Sequence, residues 1–307
     1  MKKKFIIFAP SYDENSGGIV VLHKLCSLLN SLGYESYLHP YIFSYELNRN
    51  NLKDFIINVC KWSIRAGLSR YRTNPAFKTP IFRGSLEGED DYIVVYPEVV
   101  FGNPLKAKNV VRWLLHQPGY HEKFFFYGRG ELYFKFNSAI QDFSFPESVT
   151  SKTELKVIHY PLEFYNKDAA GGDDRAGTAY CIRKGRDKEL QHDIKSSILI
   201  DGKSHAEVAK IFKRVKTFIS YDDYTAYSIF AVLCGCESIV IPSKGVSEIE
   251  WYSNESDRYG LSYGMKNRKR AKESSHLVKD HVEEEENKSI KNVKNFILEC
   301  ENYFNRI

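Results

Sequence analysis

Residues 217–248, TFISYDDYTAYSIFAVLCGCESIVIPSKGVSE, restrict the fold more than any other part of the chain. An apolar run (215–219) breaks at Ser220-Tyr221-Asp222-Asp223, resumes with helical character from Tyr224 to Cys234, turns at Gly235 and ends in a second apolar run, 238–241. Strand, loop, helix and strand in that order read as one step of an open parallel sheet. In such a sheet the loop after a strand's carboxyl end faces the ligand crevice, and the next helix directs unpaired N–H groups and a partial positive charge into it. A phosphate suits that position, with Tyr224 and Thr225 adding hydroxyl donors at the helix start. An ordinary βαβ unit with a threonine cap has the same pattern, so the segment by itself does not assign an activity.

The chain opens in the same way. Residues 5–9 are an apolar run, Pro-Ser-Tyr-Asp-Glu-Asn-Ser-Gly-Gly follows, and apolar residues at 21, 22, 25, 28, 29 and 32 mark one face of a helix that stops at Gly33. Gly17-Gly18 at the helix entrance leaves no side chain between the backbone and a ligand or facing chain. The spacing is not GxGxxG, which gives little support to dinucleotide binding, and a plain tight turn fits as well.

Further strands are expected at 34–43, 92–96, 109–115, 131–136 and 155–159, with a helix at 52–66 and an irregular excursion at 67–91. The runs ending in Pro97-Glu98 and in His116-Gln117-Pro118-Gly119 stop in polar residues where parallel sheets keep their sites. His116 is therefore a candidate general base or sugar ligand, with a structural role equally open. The aromatic stretch 120–126 suits core packing or an acceptor groove.

Residues 161–177 are polar, carry Gly171-Gly172 and Asp173-Asp174, and have the composition of an interdomain linker. Beyond it the alternation resumes with a strand at 178–182 followed at once by Arg183-Lys184-Gly185-Arg186. Cations at a strand's carboxyl end beside a glycine form a sensible diphosphate clamp, and a solvated basic turn is the bland alternative. A strand at 197–201 and a helix at 204–212, with Ser204 and Glu207 at capping-box spacing, lead back to the opening segment. Glu248 falls in the loop after the last strand, near where a sugar hydroxyl would need an acceptor. From Trp251 on the chain turns polar: a basic run (266–272) and an acidic run (283–286) suggest an exposed segment, before a final amphipathic helix at 290–303.

The 307 residues suffice for two domains with separate cores. Against 39 Asp and Glu, 44 Lys and Arg leave a formal charge of +5, which suits a polyanionic small molecule or an acidic membrane surface and is too scattered for nucleic acid. Of the cysteines (Cys26, Cys60, Cys181, Cys234, Cys236 and Cys300), only Cys234 and Cys236 are close, and their spacing fits no common zinc site. They read as small core residues of a reducing cytosol. The run before Pro10 is too short for a signal peptide or a membrane span, so the expectation is a cytoplasmic protein, with the basic run offering peripheral contact with the inner membrane.

Two strand-loop-helix halves, a glycine loop in the first and a basic pair and hydroxyl-rich helix start in the second, make the chain similar to the GT-B glycosyltransferases. Residues 218–248 carry the most specific likeness, resembling the donor-binding segment of bacterial enzymes that build O-antigen, capsule or lipopolysaccharide. The resemblance implies an α/β fold of two Rossmann-like domains facing a central cleft: 1–162 on the acceptor side, 163–286 on the donor side, and a helix at 287–307 able to pack back on the first. It implies a nucleotide-diphosphate-sugar donor, a glycan or lipid-linked glycan acceptor, no cofactor and no metal. Gly17 and Gly18 would approach the donor phosphates or the acceptor, Arg183 and Lys184 would neutralise the diphosphate, Tyr221, Asp222, Tyr224 and Thr225 would hold phosphate and sugar, and Glu248 would lie near the ribose. Where many retaining members carry two glutamates eight residues apart, this chain has Asp222 and Phe230, which leaves the stereochemistry open.

Sugar transfer of this kind needs a stabilised leaving diphosphate and, if configuration inverts, a proton acceptor near the attacking hydroxyl. Asp13, Glu14 and His116 are the first-half candidates for that acceptor. A non-catalytic nucleotide-sugar or glycan binding protein would keep the same layout. An NAD(P)-dependent oxidoreductase would show a denser glycine fingerprint than this chain has.

Overall fold

Strands β1 (Lys4–Ala9), β2 (Ser36–Pro40), β3 (Tyr92–Pro97), β4 (Asn109–Leu114), β5 (Leu132–Lys135) and β6 (Val149–Thr150) form one sheet, every neighbouring pair parallel, in the order β2-β1-β3-β4-β5-β6. The structure is a computed structural model and describes residues 3–40, 71–84, 86, 90–120, 125–142, 145–168 and 174–305. The helix expected at 52–66, Cys60, Asp173 and the Gly171-Gly172 pair lie outside the described residues.

Alternation of side chains explains why β1 is apolar from Phe5 to Ala9. Phe5, Ile7 and Ala9 join one core cluster and Ile6 and Phe8 the other, so both faces of the sheet are covered. On the first face lie helix α1 (Gly17–Ser31), through Leu22, Leu25 and Leu29, and the last helix, through Val293, Phe296, Ile297 and Cys300. Gly33, at φ +81°, ends the turn that follows α1. Arg112 crosses the second face fully buried. It donates to both carboxylate oxygens of Glu131 (2.9 and 2.7 Å) and to the carbonyls of Val100 and Gly102, with Tyr96 and Tyr127 beneath its guanidinium.

The chain divides into a unit comprising residues 1–159 and 286–307 and a second comprising 160–285. The second unit has its own parallel sheet of β7 (Thr178–Cys181), β8 (Ser197–Leu199), β9 (Thr217–Ser220), β10 (Glu237–Val240) and β11 (Leu261–Tyr263), in the order β11-β10-β9-β7-β8. Counted within each unit, the first sheet runs 2-1-3-4-5-6 and the second 2-1-3-4-5, doubly wound Rossmann-like orders whose switch point lies between the first and third strands. Each unit is thus a Rossmann-like α/β domain. The described helices of the second unit are α2 (His205–Phe212), α3 (Tyr227–Leu233), α4 (Glu248–Trp251) and α5 (Arg268–Ser274), followed by α6 (Val278–Phe304). Ser204 and Glu207 close the capping box expected at the start of α2.

Several local expectations are corrected. Residues 155–159 form no strand; the sixth strand of the first sheet is β6, and Leu155 donates a single backbone bond to Lys135. Residues 161–168 pack on the second unit, where Tyr165 is buried and stacks on Phe230 at 4.2 Å between centroids. Arg175 donates to the carbonyls of Phe212, Val215 and Cys234, satisfying carbonyls at the ends of α2 and α3. The region after Trp251 supplies β11 and α5, and the basic run is partly neutralised there. Arg268 holds both carboxylate oxygens of Glu237 at 2.6 Å, and Arg270 pairs with Glu248. The last helix starts at Val278 rather than near 290 and takes in the acidic run, with Glu285 buried. Among the described residues no helix is long and apolar enough to cross a membrane.

Candidate functional site

At the switch point of the second sheet, the loops leaving β7 and β9 meet. Asp201 accepts the N–H groups of Ile182 (3.2 Å) and Arg183 (2.9 Å), and Gly185 N–H returns to the Ile182 carbonyl at 2.8 Å. These bonds force a tight turn in which Arg183 sits in the left-handed region at φ +42°, a conformation costly for a residue with a Cβ and found where surrounding contacts impose it. Gly185 permits the approach: a Cβ built on it would fall 1.9 Å from the Tyr221 carbonyl oxygen.

The two acids of the β9 loop serve as counter-ions to two cations of the β7 loop. Asp222, 6 % exposed, lies 3.4 Å from Arg183 Nε, and the guanidinium lies 5.5 Å from the centre of the Tyr227 ring. Asp223 pairs with Lys188 Nζ at 2.8 Å, and Lys188 also donates to the Ile241 carbonyl at 2.6 Å. Ser243 donates to Asp223 (2.5 Å), and the Trp251 indole donates to the Asp223 carbonyl (2.8 Å). Three strand-end loops are thereby fastened around one ionic cluster. Arg183 Nε is buried, and its anionic neighbour is Asp222 Oδ2, at a separation longer than an ordinary hydrogen bond. Lys184 and Arg186 on the same turn are exposed.

The other second-half candidates are placed differently from the sequence reading. The helix after β9 begins at Tyr227, not Tyr224, so Thr225 precedes its start; Thr225 Oγ1 accepts the Tyr227 N–H at 3.4 Å while the N-cap Ala226 has no side-chain bond. Tyr221 is fully buried, its hydroxyl accepting Gln191 N–H and bonded to His192 Nδ1, both at 2.7 Å, which engages its side chain in the core. Tyr224 is 63 % exposed and meets Tyr252 edge-on. Glu248 is not a free loop acceptor, because it begins α4 and its carboxylate is taken by Arg270. Phe230, at the second-glutamate position, packs in an aromatic core against Tyr165.

In the first unit, Asp13, Glu14, Gly17 and Gly18 follow β1 and His116 follows β4, so all lie at carboxyl ends. Asp13 is exposed and accepts Asn15 N–H at 3.0 Å, while Glu14 is half-buried. A Cβ on Gly17 would meet nothing within 4 Å, and one on Gly18 would lie 3.6 Å from Leu115 Cδ1, which brings the β1 and β4 loops together. His116 stacks on Tyr120 at 3.8 Å, and its Nδ1 accepts Gln117 N–H at 2.8 Å.

Sequence reasoning missed Lys188, Asp201 and Asp223 as partners of the cluster, and Glu98. Glu98 ends β3 and is 8 % exposed; its carboxylate accepts the backbone N–H groups of Leu115 (3.0 Å) and His116, and burial pushes its carboxyl up to about 7. The polar ending Pro97-Glu98 was its only signal. The buried thiols are shifted the same way, Cys26, Cys181 and Cys236 to about 12, which keeps them protonated and unreactive. Among the described residues no three His, Cys, Asp or Glu side chains converge as metal ligands. A cavity of about 350 Å³ lined by Arg175, Ile198, Ile211 and Val215 lies by the amino ends of the second sheet, away from the ionic cluster.

Fold and strand-end loops together define a doubly wound α/β protein whose second unit gathers cations at a switch point. No family model and no curated protein matches the chain. Among solved structures, sucrose-phosphate synthase from Thermosynechococcus elongatus aligns over 99 % of this chain and 97 % of its own, at 9 % identity and a TM-score of 0.30, a likeness too slight to support a conclusion.

Proposed function

We propose that the protein is a GT-B-type glycosyltransferase that moves a sugar from a nucleotide-diphosphate donor to a glycan hydroxyl, in the synthesis of a bacterial surface polysaccharide. The observation that carries the reading is the switch-point cluster: Arg183 and Lys188, held at the strand ends by a strained turn and by Asp222 and Asp223. A diphosphate seated there would draw on both cations, with Lys184 and Arg186 adding charge from the exposed side of the turn. Preorganised cations stabilise charge developing on a leaving diphosphate, and this chemistry requires no metal. Transfer should therefore persist in EDTA.

Thermal-shift screening against UDP, GDP, CMP and dTDP sugars, with NAD(P) as the contrast, tests the reading. A ligand at 100 times its Kd adds about 2.7 kcal/mol to the folded form. A nucleotide sugar should raise the melting point of the natural protein, and Arg183→Ala and Lys188→Ala should each abolish the rise; Lys184→Ala and Thr225→Ala should weaken transfer. A shift with NAD(P) alone, or one undiminished in both cation variants, overturns the proposal. A non-catalytic nucleotide-sugar binding protein is the second reading, favoured by the burial of Phe230 where a second carboxylate would stand; it predicts binding without turnover.

A further inference from the structure

We propose that β8, the outermost strand of the second sheet, is the edge by which two copies of this chain associate, pairing β8 to β8 antiparallel about a two-fold axis at Ile198. The surface lies wholly within the second unit, and the inference is independent of the glycosyltransferase reading. In the order β11-β10-β9-β7-β8 the sheet has two ends, and they are finished differently. At one end Leu261, Ser262 and Tyr263 of β11 are buried, α5 packs beside them, and Arg270 of that helix donates to the Leu261 carbonyl at 3.2 Å. At the other end β8 pairs, among the described residues, with β7 alone, and Ile198 and Leu199 are 43 % and 39 % exposed.

Those two residues are consecutive, so their side chains stand on opposite faces of the sheet. Ile198 lies in line with Ala179 and Phe218, on the face that Phe212 of α2 covers, and Leu199 lies in line with Tyr180 and Ile219 on the other. A layer laid on one face would cover one of them, whereas a strand set alongside covers both. The peptide groups agree. Ile200 N–H donates to the Tyr180 carbonyl at 2.9 Å, so Ile198 and Ile200 turn their peptide groups toward β7, and Ser197 and Leu199 turn theirs outward. An open aliphatic edge of this kind is a template for another strand. Ile194, exposed in the turn that leads into β8, extends the apolar surface.

The strand that fits this edge is its own copy. Antiparallel self-pairing through the outward residues can centre on Leu199 or on Ile198, and charge separates the two. An axis at Leu199 sets Lys195 against Lys203, while an axis at Ile198 sets Lys195 against Asp201 and Asp193 against Lys203, so each end of the strand meets the opposite sign. The groups that Asp201 accepts, the N–H groups of Ile182 and Arg183, are neutral, which leaves its charge for the exposed Lys195. With the axis at Ile198, Leu199 N–H of each copy donates to the Ser197 carbonyl of the other, and the Ser197 N–H stays with the Ile194 carbonyl. The two Ile198 side chains then meet on the α2 face. Ile198 borders the cavity of about 350 Å³ there with Ile211 and Val215, so the pairing covers apolar lining in both copies at once.

Interfaces burying less than about 1,200 Å² in total are weak, so the test is sedimentation velocity of the full chain from about 1 to about 200 µM. The natural protein should pass from monomer to dimer across that range. Ile198→Lys and Leu199→Lys each replace an apolar contact by a charge on both sides of the axis, and each should weaken association by at least about tenfold while leaving the melting point unchanged. Ile198→Cys would face its own copy at a non-hydrogen-bonded pair, about 4.5 Å between Cα atoms, and should give a reducible covalent dimer with diamide. Leu199→Cys, set opposite Ser197 and more than about 7 Å from its own copy, should not. The natural protein treated with diamide is the blank, and the cysteine pair serves if a lysine variant does not fold. A natural protein still monomeric at about 200 µM overturns the proposal. So does a dimer that both lysine variants leave intact, or an Ile198→Cys variant that crosslinks no better than Leu199→Cys.

Discussion

Replacing Gly185 with alanine adds one methyl group where there is no room for it. The added Cβ would lie 1.9 Å from the Tyr221 carbonyl oxygen, 2.4 Å from its carbon and 2.8 Å from the Tyr221 Cβ. No rotamer change relieves a clash with main chain, so the β7 and β9 loops must part by roughly 1.5 Å to reach ordinary contact. Gly185 does not occupy the left-handed region, so backbone preference contributes nothing and the effect is steric. Overpacking of this kind costs about 1–3 kcal/mol, and losing the Tyr221 N–H to Cys181 carbonyl bond (3.0 Å) adds about 1 more. For a unit of this size that corresponds to a melting-point drop of roughly 8–15 °C. The same separation pulls Arg183 away from Asp222, so nucleotide-diphosphate affinity should fall at least about tenfold, or 1.4 kcal/mol. Calorimetric melting and titration of nucleoside diphosphates measure both effects. Gly202→Ala is the control: its φ of +76° costs about 1 kcal/mol, but a Cβ there meets nothing, so affinity should hold. A Gly185→Ala protein that melts within 2 °C of the natural one and binds as well would refute the packing of these loops.

Gly17→Ala should leave melting unchanged or raise it slightly, by about 0.4–1 kcal/mol, because a Cβ meets nothing there; a simultaneous loss of ligand affinity would show that a ligand approaches the start of α1 closely. Arg175→Ala removes one cation from three carbonyls, those of Phe212, Val215 and Cys234, and should cost about 3 kcal/mol or more by denaturant titration while nucleotide affinity of the folded protein is retained. Glu98 sets a pH dependence whose sign follows from its raised pKa. The folded form holds the proton more tightly than the unfolded chain, so its contribution is fully present below the ordinary value of 4.5 and is lost as pH rises through about 7. That loss is about 3 kcal/mol at most, and Glu98→Gln should flatten the stability profile across this window; an unchanged slope would contradict the burial of the carboxylate.

From the sequence alone, the strand runs at 92–96, 109–115 and 178–182, the capping box at Ser204 and Glu207, and the polar loops that follow the strands were all readable. Each rests on neighbours within a few residues: side-chain alternation, cap spacing and a glycine stop. Tertiary structure decided what those loops do. Whether Asp222 and Asp223 contact a ligand or neutralise Arg183 and Lys188 depends on β9 lying beside β7, which no local pattern encodes. Burial of Glu98 requires the β4 loop to fold over the end of β3, and Glu248 lost its freedom to Arg270, a residue of a helix that the charge run concealed. Local chemistry sets which backbone shapes a segment prefers, whereas the worth of a charge depends on the dielectric and the partners that distant parts of the chain bring to it.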